Sequence, residues 1–436
     1  MKNEKLIERR GFLKTSTAGL FGVGLVSRRG LDPSGQKETS TPKVKDHRVL
    51  GRTGFKVSDI GGGYIQDPGL IAAMLDTGVN FIDTAEEYPG HHRTISEAIK
   101  GRDRKSFFIN SKLEVKEEDV SKEGFLKRTR QSLADLKTDY IDCMMMHCPE
   151  KLKLVKTEGF HAAMDELKKE GRIRYVGMSH HGSFWLKAPE ETMENMLMAA
   201  ADDGRFDVFL MAYNFLQMDA SERVLEVCKE KKIGTALMKT TPVAKYYNMK
   251  ARIEQMEEEG KDINPLMQSG MDNYKNMAER AEGFIKEHHL ENPEEIKEAS
   301  IRFVLENPNV NTVCCSMKNF DELDRFVRLS GSKLSDWDRA KLAQFKEGCG
   351  QFYCRHACGL CEPQCPHQVP VNAIMRYNHY FEAQGKEKYA MSRYQAIPGA
   401  KADACRDCSG FCERACPYGV PIQGMLTMAH HQLSFG

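Results

Sequence analysis

The chain carries almost no net charge: +1 over 436 residues, with 63 Lys and Arg against 62 Asp and Glu. No global field therefore recruits nucleic acid, and no basic stripe interleaved with aromatics supplies a local one. Long apolar runs are missing as well. The small-residue run from Thr17 to Val26 is roughly ten residues, well short of the ~20 that a membrane-crossing helix needs. The glycine fingerprint expected of an open, doubly wound nucleotide-binding sheet is also absent. Against these absences stand fourteen cysteines, eight of them between Cys354 and Cys416. Such clustering points to metal or disulfide chemistry in a C-terminal module. The chain is long enough for that module to sit beside one large domain.

The large domain is organised around Asn80 to Tyr88. The apolar run Phe81-Ile82 ends in Asp83, Tyr88 follows five residues later, and the turn pair Pro89-Gly90 comes next. Two further strand-like runs end in polar residues, Phe107 to Lys112 and Tyr140 to His147. An Asp, a Tyr, a Lys and a His, each at or just beyond the C-terminal end of a strand, make a proton-transfer constellation on a parallel α/β barrel.

The rhythm of short apolar run and helical period continues along the chain. Strands are expected at Val57 to Ile60, ended by Gly61-Gly62-Gly63, and then at the three runs above. Four more are expected at Tyr175 to Ser179, Phe206 to Tyr213, Ile233 to Met238 and Val310 to Cys314. Helical spacing lies between them, as in Leu126, Thr129, Leu133 and Leu136, or Phe160, Met164 and Leu167 with Gly171 as a C-cap. Eight such units imply a closed (β/α)8 TIM barrel over residues 47–340, because each right-handed crossover leaves its helix outside. One stretch breaks the rhythm. Thr240 to Pro293 is highly charged and holds Tyr246, Tyr247 and Tyr274, and it reads either as a lid or docking surface or as a solvated helical insertion.

With Leu50-Gly51-Arg52-Thr53-Gly54 at the entrance and Pro149 close behind His147, the order Asp83, Tyr88, Lys112, His147 resembles the aldo-keto reductase superfamily over residues 47–330. The resemblance implies an oxidoreductase that interconverts a carbonyl and an alcohol, with a sugar among the candidate substrates. Carbonyl reduction leaves an alkoxide that must gain a proton, and a phenol with a reference pKa of about 10 is a reluctant acid. Lys112 is expected to lower the pKa of Tyr88, Asp83 to keep Lys112 charged and placed, and His147 to hold the substrate oxygen. The resemblance also implies a bound NADP(H) or NAD(H), carried tightly. Ser179 and His180 would hold the nicotinamide amide, Met238 and Lys239 would lie against its ring, and Ser316 and Lys318 would bind phosphate. Departures from the family pattern are Leu210 for the usual Gln, Cys314-Cys315-Ser316 for the Ile-Pro-Gly turn, and Asp324-Arg325-Phe326 at the adenine contact. The pairs His91-His92 and His180-His181 are expected on active-face loops, as solvated or substrate-contacting groups or as ligands of a shared divalent ion. Cys148 reads as packing, with a reactive thiol as the lesser reading.

Cys354, Cys358, Cys361 and Cys365 are spaced by three, two and three residues and followed by Pro366. Cys405, Cys408, Cys412 and Cys416 are spaced by two, three and three, again with a trailing Pro417, and each run then reads Val-Pro. Two such units resemble a bicluster ferredoxin, in which the last Cys of one run ligates the other run's cluster. That implies two [4Fe-4S] clusters in a small, mainly α-helical ferredoxin-like domain over 341–436, with zinc or disulfides as the alternatives and Cys349 as a spare ligand.

At the start, Arg9-Arg10-Gly11-Phe12-Leu13-Lys14 ahead of the apolar run resembles a twin-arginine export signal in 1–30, followed by a linker over 31–46. That implies passage through the twin-arginine translocase after folding. The destination is then periplasmic or extracytoplasmic, with membrane association if the signal stays uncut. The expected partners are a small-molecule carbonyl or hydroxyl substrate and a membrane or periplasmic electron-transfer partner, not nucleic acid. Two rival readings remain: a catalytically altered barrel serving as scaffold for an electron-transfer module, and non-redox sugar chemistry with retained nicotinamide.

Overall fold

The computed structural model describes residues 41–181, 191–243, 246, 247, 250, 251, 254, 265–356, 358–384, 386–405 and 408–434. The expected export signal and most of the linker lie outside the described residues. The chain enters on a hairpin, β1 His47–Val49 against β2 Lys56–Ser58, paired antiparallel. Eight strands follow: β3 Ile60–Gly62, β4 Phe81–Asp83, β5 Phe108–Glu114, β6 Ile141–His147, β7 Ile173–His180, β8 Val208–Ala212, β9 Gly234–Met238 and β10 Thr312–Cys315. They close into a barrel in the order β10-β3-β4-β5-β6-β7-β8-β9, each neighbouring pair parallel. This is the (β/α)8 barrel expected from the alternation, with a further helical region at the C-terminal end.

The first strand is displaced from its expected place. Val57 to Ser58 belongs to the hairpin, and the barrel strand runs through Gly61 and Gly62, which sequence alone marks as a terminator. Those glycines let neighbouring elements approach: a Cβ on Gly62 would meet Met74 Sδ at 2.6 Å, and one on Gly61 would meet Thr312 Oγ1 at 2.8 Å. The hairpin seals the N-terminal mouth. Leu50 and Val57 pack into the barrel interior with Phe81, Phe108, Met145 and Leu210, and Gly51, at φ +48°, passes so close to Gly234 that a Cβ would lie 2.2 Å from its nitrogen. Leu210, where the superfamily places Gln, is thus part of this interior packing.

Several helices start on side-chain caps. Asp67 accepts from Leu70 N with Pro68 at the first position, Ser121 accepts from Gly124 N, and Ser335 forms a reciprocal capping box with Asp338. Gly171, at φ +70°, follows the helix Glu158–Lys169 as anticipated. No described helix is long and apolar enough to cross a membrane.

A second hydrophobic core joins the C-terminal region to the barrel, taking in Ile296 and Ala299 of the helix Pro293–Glu306. Part of the irregular stretch after β9 forms the helix Pro265–Glu287, which packs along the last helix, Ile422–Leu433. Tyr246, Tyr274, Ala281 and Ile285 are buried there with Phe345, Phe352, Val371, Met425 and Leu426. Among the described residues this stretch is therefore a seat for the C-terminal region and not a solvated insertion. The helix Asp336–Cys349 runs across the expected boundary at 340 and carries the chain from one core to the other. Cys349, 1% exposed, is packed in this second core.

Tyr274 tests that seat. Its ring is fully buried against Phe352, at 5.4 Å between centroids, while its hydroxyl has no hydrogen-bond partner among the described residues. Tyr274→Ala should cost about 3–5 kcal/mol of C-terminal stability, whereas Tyr274→Phe should be neutral or stabilising. Thermal unfolding followed with limited proteolysis of the C-terminal region checks both. Equal behaviour of the two variants would contradict the packing role.

Candidate active site

Strand register sets the rim. Asp83 pairs with Asn110, and His147 pairs with both Glu114 and Ser179, so the C-terminal ends of β4 to β7 bring their side chains to one face. Asp83 Oδ2 accepts from Lys112 Nζ at 2.7 Å, Asp83 Oδ1 accepts from Asn110 Nδ2 at 2.7 Å, and Lys112 also donates to the Thr84 carbonyl at 2.6 Å. Lys112 is 1% exposed and Asp83 6%, so the ion pair is buried and closely hydrogen-bonded. Lys112 Nζ lies 5.0 Å from the centroid of the Tyr88 ring. Tyr88 meets His147 edge-on at 6.2 Å and Tyr64 at 5.1 Å.

These four residues are brought together as expected, but the electrostatics differ. The expected lowering of the Tyr88 pKa is not the net result: burial, and after it the negative charge of Asp83, holds the phenol well above its ordinary range. The reason is geometric. Lys112 spends its charge on Asp83 and the Thr84 carbonyl, and the carboxylate also faces the phenol.

Glu87 enters the site unforeseen. His147 Nδ1 lies 2.8 Å from Glu87 Oε2, an ion-pair distance with poor alignment for a hydrogen bond. Burial works to raise the Glu87 pKa, but the contact with His147 outweighs it and the carboxyl is held low. The neighbouring Glu86 turns the other way, accepting from Arg128 Nη1 at 2.7 Å and from Glu114 N at 2.8 Å, and burial pushes it up to about 7. Two adjacent acids before a tyrosine carry no sequence signal that tells them apart.

A cavity of about 310 Å³ opens above this group. Ser179, Met238, Lys239, Ser316 and Lys318 line it together with Asp83, Tyr88, Lys112 and His147. Ser179 Oγ is buried without a hydrogen-bond partner among the described residues. Ser316 and Lys318 lie exposed on the loop after β10, and Gly63 comes so near that a Cβ there would be 2.9 Å from Ser316 Oγ. His180 does not belong to this set. Its side chain is fully buried, with Nε2 3.2 Å from the Pro149 carbonyl, and the next residue, His181, lines the cavity instead.

The other histidine pair is structural. His91 is held between Thr84 Oγ1 and the Ile65 carbonyl, both at 2.9 Å, and His92 Nε2 meets Ser111 Oγ at 3.0 Å. Burial pushes the two down to about 3 and about 4. Cys148 is a buried thiol pushed up to about 11 by burial, in keeping with packing. Among the described residues no three His, Cys, Asp or Glu side chains converge on a single-ion site.

The roof of the cavity comes from the C-terminal region. His356, Tyr380, Lys386 and Tyr389 line it, none of them anticipated. Polar ties dock this region on the barrel rim: Asn214 Nδ2 donates to Tyr353 Oη at 3.1 Å, Gln217 Nε2 to the His356 carbonyl at 2.6 Å, and Arg376 Nη2 to the His181 carbonyl at 3.2 Å.

Among the described residues the two cysteine runs share one hydrogen-bonding device. Glu362, after the third cysteine of the first run, accepts from Asn372 N at 2.7 Å; Glu413, after the third of the second run, accepts from Gln423 N at 2.8 Å. Each carboxylate thus caps the helix that follows its run, Val371–Gln384 or Ile422–Leu433. Cys354, Cys358, Cys361 and Cys416 line one small cavity, while Cys365 lies within electrostatic reach of Cys405 and Cys412. The final cysteine of each run has crossed to the other run's group.

The model of the aldo/keto reductase family matches residues 67–347. Curated relatives include methylglyoxal reductase DkgB of Salmonella typhi, 31% identical over 27% of this chain and 44% of its own. They also include glyoxal reductase of Bacillus subtilis, 35% identical over 28% and 44%. The chain thus spans less than half the length of these relatives. Solved structures similar to this chain include aldo-keto reductase AKR11C1 from Bacillus halodurans in its holo form, with TM-score 0.48, 21% identity, and coverage of 69% of this chain and 95% of that one. An aldo/keto reductase from Klebsiella pneumoniae in complex with NADP and acetate gives 0.49, 20%, 69% and 95%. With the family match covering well over half of its length, the chain belongs to the aldo/keto reductase family.

Proposed function

We propose that the protein is an oxidoreductase that interconverts a carbonyl and an alcohol at the Tyr88 hydroxyl. The observation that carries this reading is the buried Asp83–Lys112 pair set beneath the Tyr88 ring at the floor of a cavity ringed by strand C-termini. In reduction Tyr88 gives its proton to the substrate oxygen, and His147, steadied by Glu87, holds that oxygen by a hydrogen bond. The raised pKa keeps Tyr88 protonated at neutral pH, the form an acid needs; in the oxidative direction the same group must first lose its proton.

A nicotinamide nucleotide, when bound, supplies or accepts the hydride. The residues fit such a group. Ser179 offers an orphaned hydroxyl, Met238 and Lys239 flank the cavity, and Ser316 and Lys318 sit on an accessible loop suited to phosphate. The relatives named as methylglyoxal and glyoxal reductases favour this chemistry.

The C-terminal cysteines fit two [4Fe-4S] clusters, held by Cys354, Cys358, Cys361 and Cys416 and by Cys365, Cys405, Cys408 and Cys412. The donor set is all thiolate, the groups are three-plus-one, and the first four line a cavity instead of meeting at a point. Such clusters supply one-electron transfer. His356 lies two residues from both Cys354 and Cys358, within ~7 Å of chain reach from each, and also lines the substrate cavity. Clusters held by these cysteines would supply one-electron transfer beside the cavity, toward a membrane or periplasmic partner. Export of the loaded, folded protein by the twin-arginine route agrees with thiolate clusters that need a reducing compartment for assembly.

Tyr88→Phe should lower kcat by about 10²–10⁴ while leaving iron content and nucleotide affinity intact; turnover within threefold of wild type would remove the acid–base assignment. Because the phenol titrates above its usual range, reduction should stay level through neutral and mildly alkaline pH while alcohol oxidation climbs with pH. Parallel pH profiles for the two directions would contradict this. Anaerobic isolation from the exported fraction should give about eight irons with matching sulfide and a nucleotide detectable by mass spectrometry. Zinc in place of iron, or protein confined to the cytoplasm, would overturn the corresponding part.

A further inference from the structure

Lys386 stands in the turn between the helices Val371–Gln384 and Glu387–Gln395, its backbone N–H fixed to the Tyr380 carbonyl at 3.1 Å. The side chain leaves the C-terminal region and enters the cavity of the barrel. Its ammonium lies 3.8 Å from the Tyr88 ring centroid, 4.3 Å from that of Tyr64 and 5.7 Å from that of Tyr380. Among the described residues it has no hydrogen bond and no ion pair.

The carboxylates that face it are engaged elsewhere. Asp83 is held by Lys112 and Asn110, and Glu87 is paired with His147. Lys112 faces it as a second cation, and nearby His91 is neutral, pushed down to about 3 by burial. Burial, and after it the charge of Lys112, pulls Lys386 down to about 8, which leaves it mostly protonated at neutral pH. A cation in an aromatic enclosure with no anion of its own is incomplete without a ligand that brings one.

Resting on the proposed reaction, we infer that Lys386 is the receptor for a carboxylate on the carbon next to the reacting one, so that the substrates are 2-oxo acids or 2-hydroxy acids. The placement over the Tyr88 ring favours the neighbouring carbon. Tyr88 and His147 take the reacting oxygen, and Lys386 lies over the face of the same Tyr88 ring, so a substituent one bond from the reacting carbon comes against the ammonium. The redox balance is that of the proposed reaction. In reduction C2 gains a hydride from the reduced nicotinamide, which is oxidised, the oxygen gains a proton from Tyr88, and the carboxylate is unchanged.

The matched probes are pyruvate and methylglyoxal, which share one skeleton and differ by the carboxylate, with oxamate as an unreactive 2-oxo acid mimic. In the anaerobically isolated holoprotein, kcat/KM should favour pyruvate, and oxamate should bind and raise Tm. Lys386→Met should lower the pyruvate-to-methylglyoxal ratio and weaken oxamate by about tenfold or more, with iron content unchanged, and Lys386→Arg should recover most of both. A wild-type preference for methylglyoxal, or oxamate binding indifferent to Lys386→Met, would overturn the inference. The wild-type preference alone decides it if Lys386→Met does not fold. Because oxamate binding needs no turnover, Lys386-dependent binding in a protein that reduces neither compound would sink the proposed reaction and leave the anion receptor standing.

Discussion

A lysine and an aspartate buried together at the end of two adjacent strands constrain everything around them. Removing one partner of such a pair would strand the other charge out of water, at about 3–5 kcal/mol. The surroundings are accordingly arranged to satisfy both. Asn110 takes the second carboxylate oxygen, the Thr84 carbonyl takes the second ammonium bond, and the β4–β5 register that pairs Asp83 with Asn110 is what aligns the donors. Tyr88 then stacks above a site whose charges are already balanced. That is why its phenol stays protonated even though an ammonium lies beneath it.

The same logic of completed pairs extends to the roof. Barrel and C-terminal region meet through side-chain amide and guanidinium donors, Asn214, Gln217 and Arg376, that reach across the junction to partners on the opposite side. Within the roof, two copies of a cysteine run each end in a glutamate-capped helix. A helix start exposes unpaired N–H groups, so a carboxylate placed one residue after a thiol fixes the thiol's loop and the helix as a single piece. The docking of this piece places His356 with its neighbours Cys354 and Cys358 behind it and the substrate cavity in front.

Much of the barrel was legible because its signals are local. Apolar runs such as Phe107 to Ile109 and the helical spacing of Leu126, Thr129, Leu133 and Leu136 lie within single elements. The four polar residues at strand ends follow from their position in those runs. What escaped depends on partners far away in the chain. Gly61 and Gly62 read as a stop, yet they are strand residues thinned to admit Met74 and Thr312. His180 and His181 are indistinguishable in sequence, and strand alternation sends one inward to the Pro149 carbonyl and the other to the cavity. Lys386 is one lysine among many until the C-terminal region docks. The charged stretch after β9 hides its function in Tyr246 and Tyr274, whose burial needs a helix that begins at Ile422.

That last dependence fixes an order of assembly. The helix Ile422–Leu433 leaves the ribosome after everything it packs on, including Pro265–Glu287 and the segment from Phe345 to Phe352. Domains generally form as the chain emerges, from the N-terminal end. The barrel can therefore close during translation, while the second core stays open until the helix Ile422–Leu433 has emerged, leaving Tyr246, Tyr274 and their apolar neighbours uncovered in the interval.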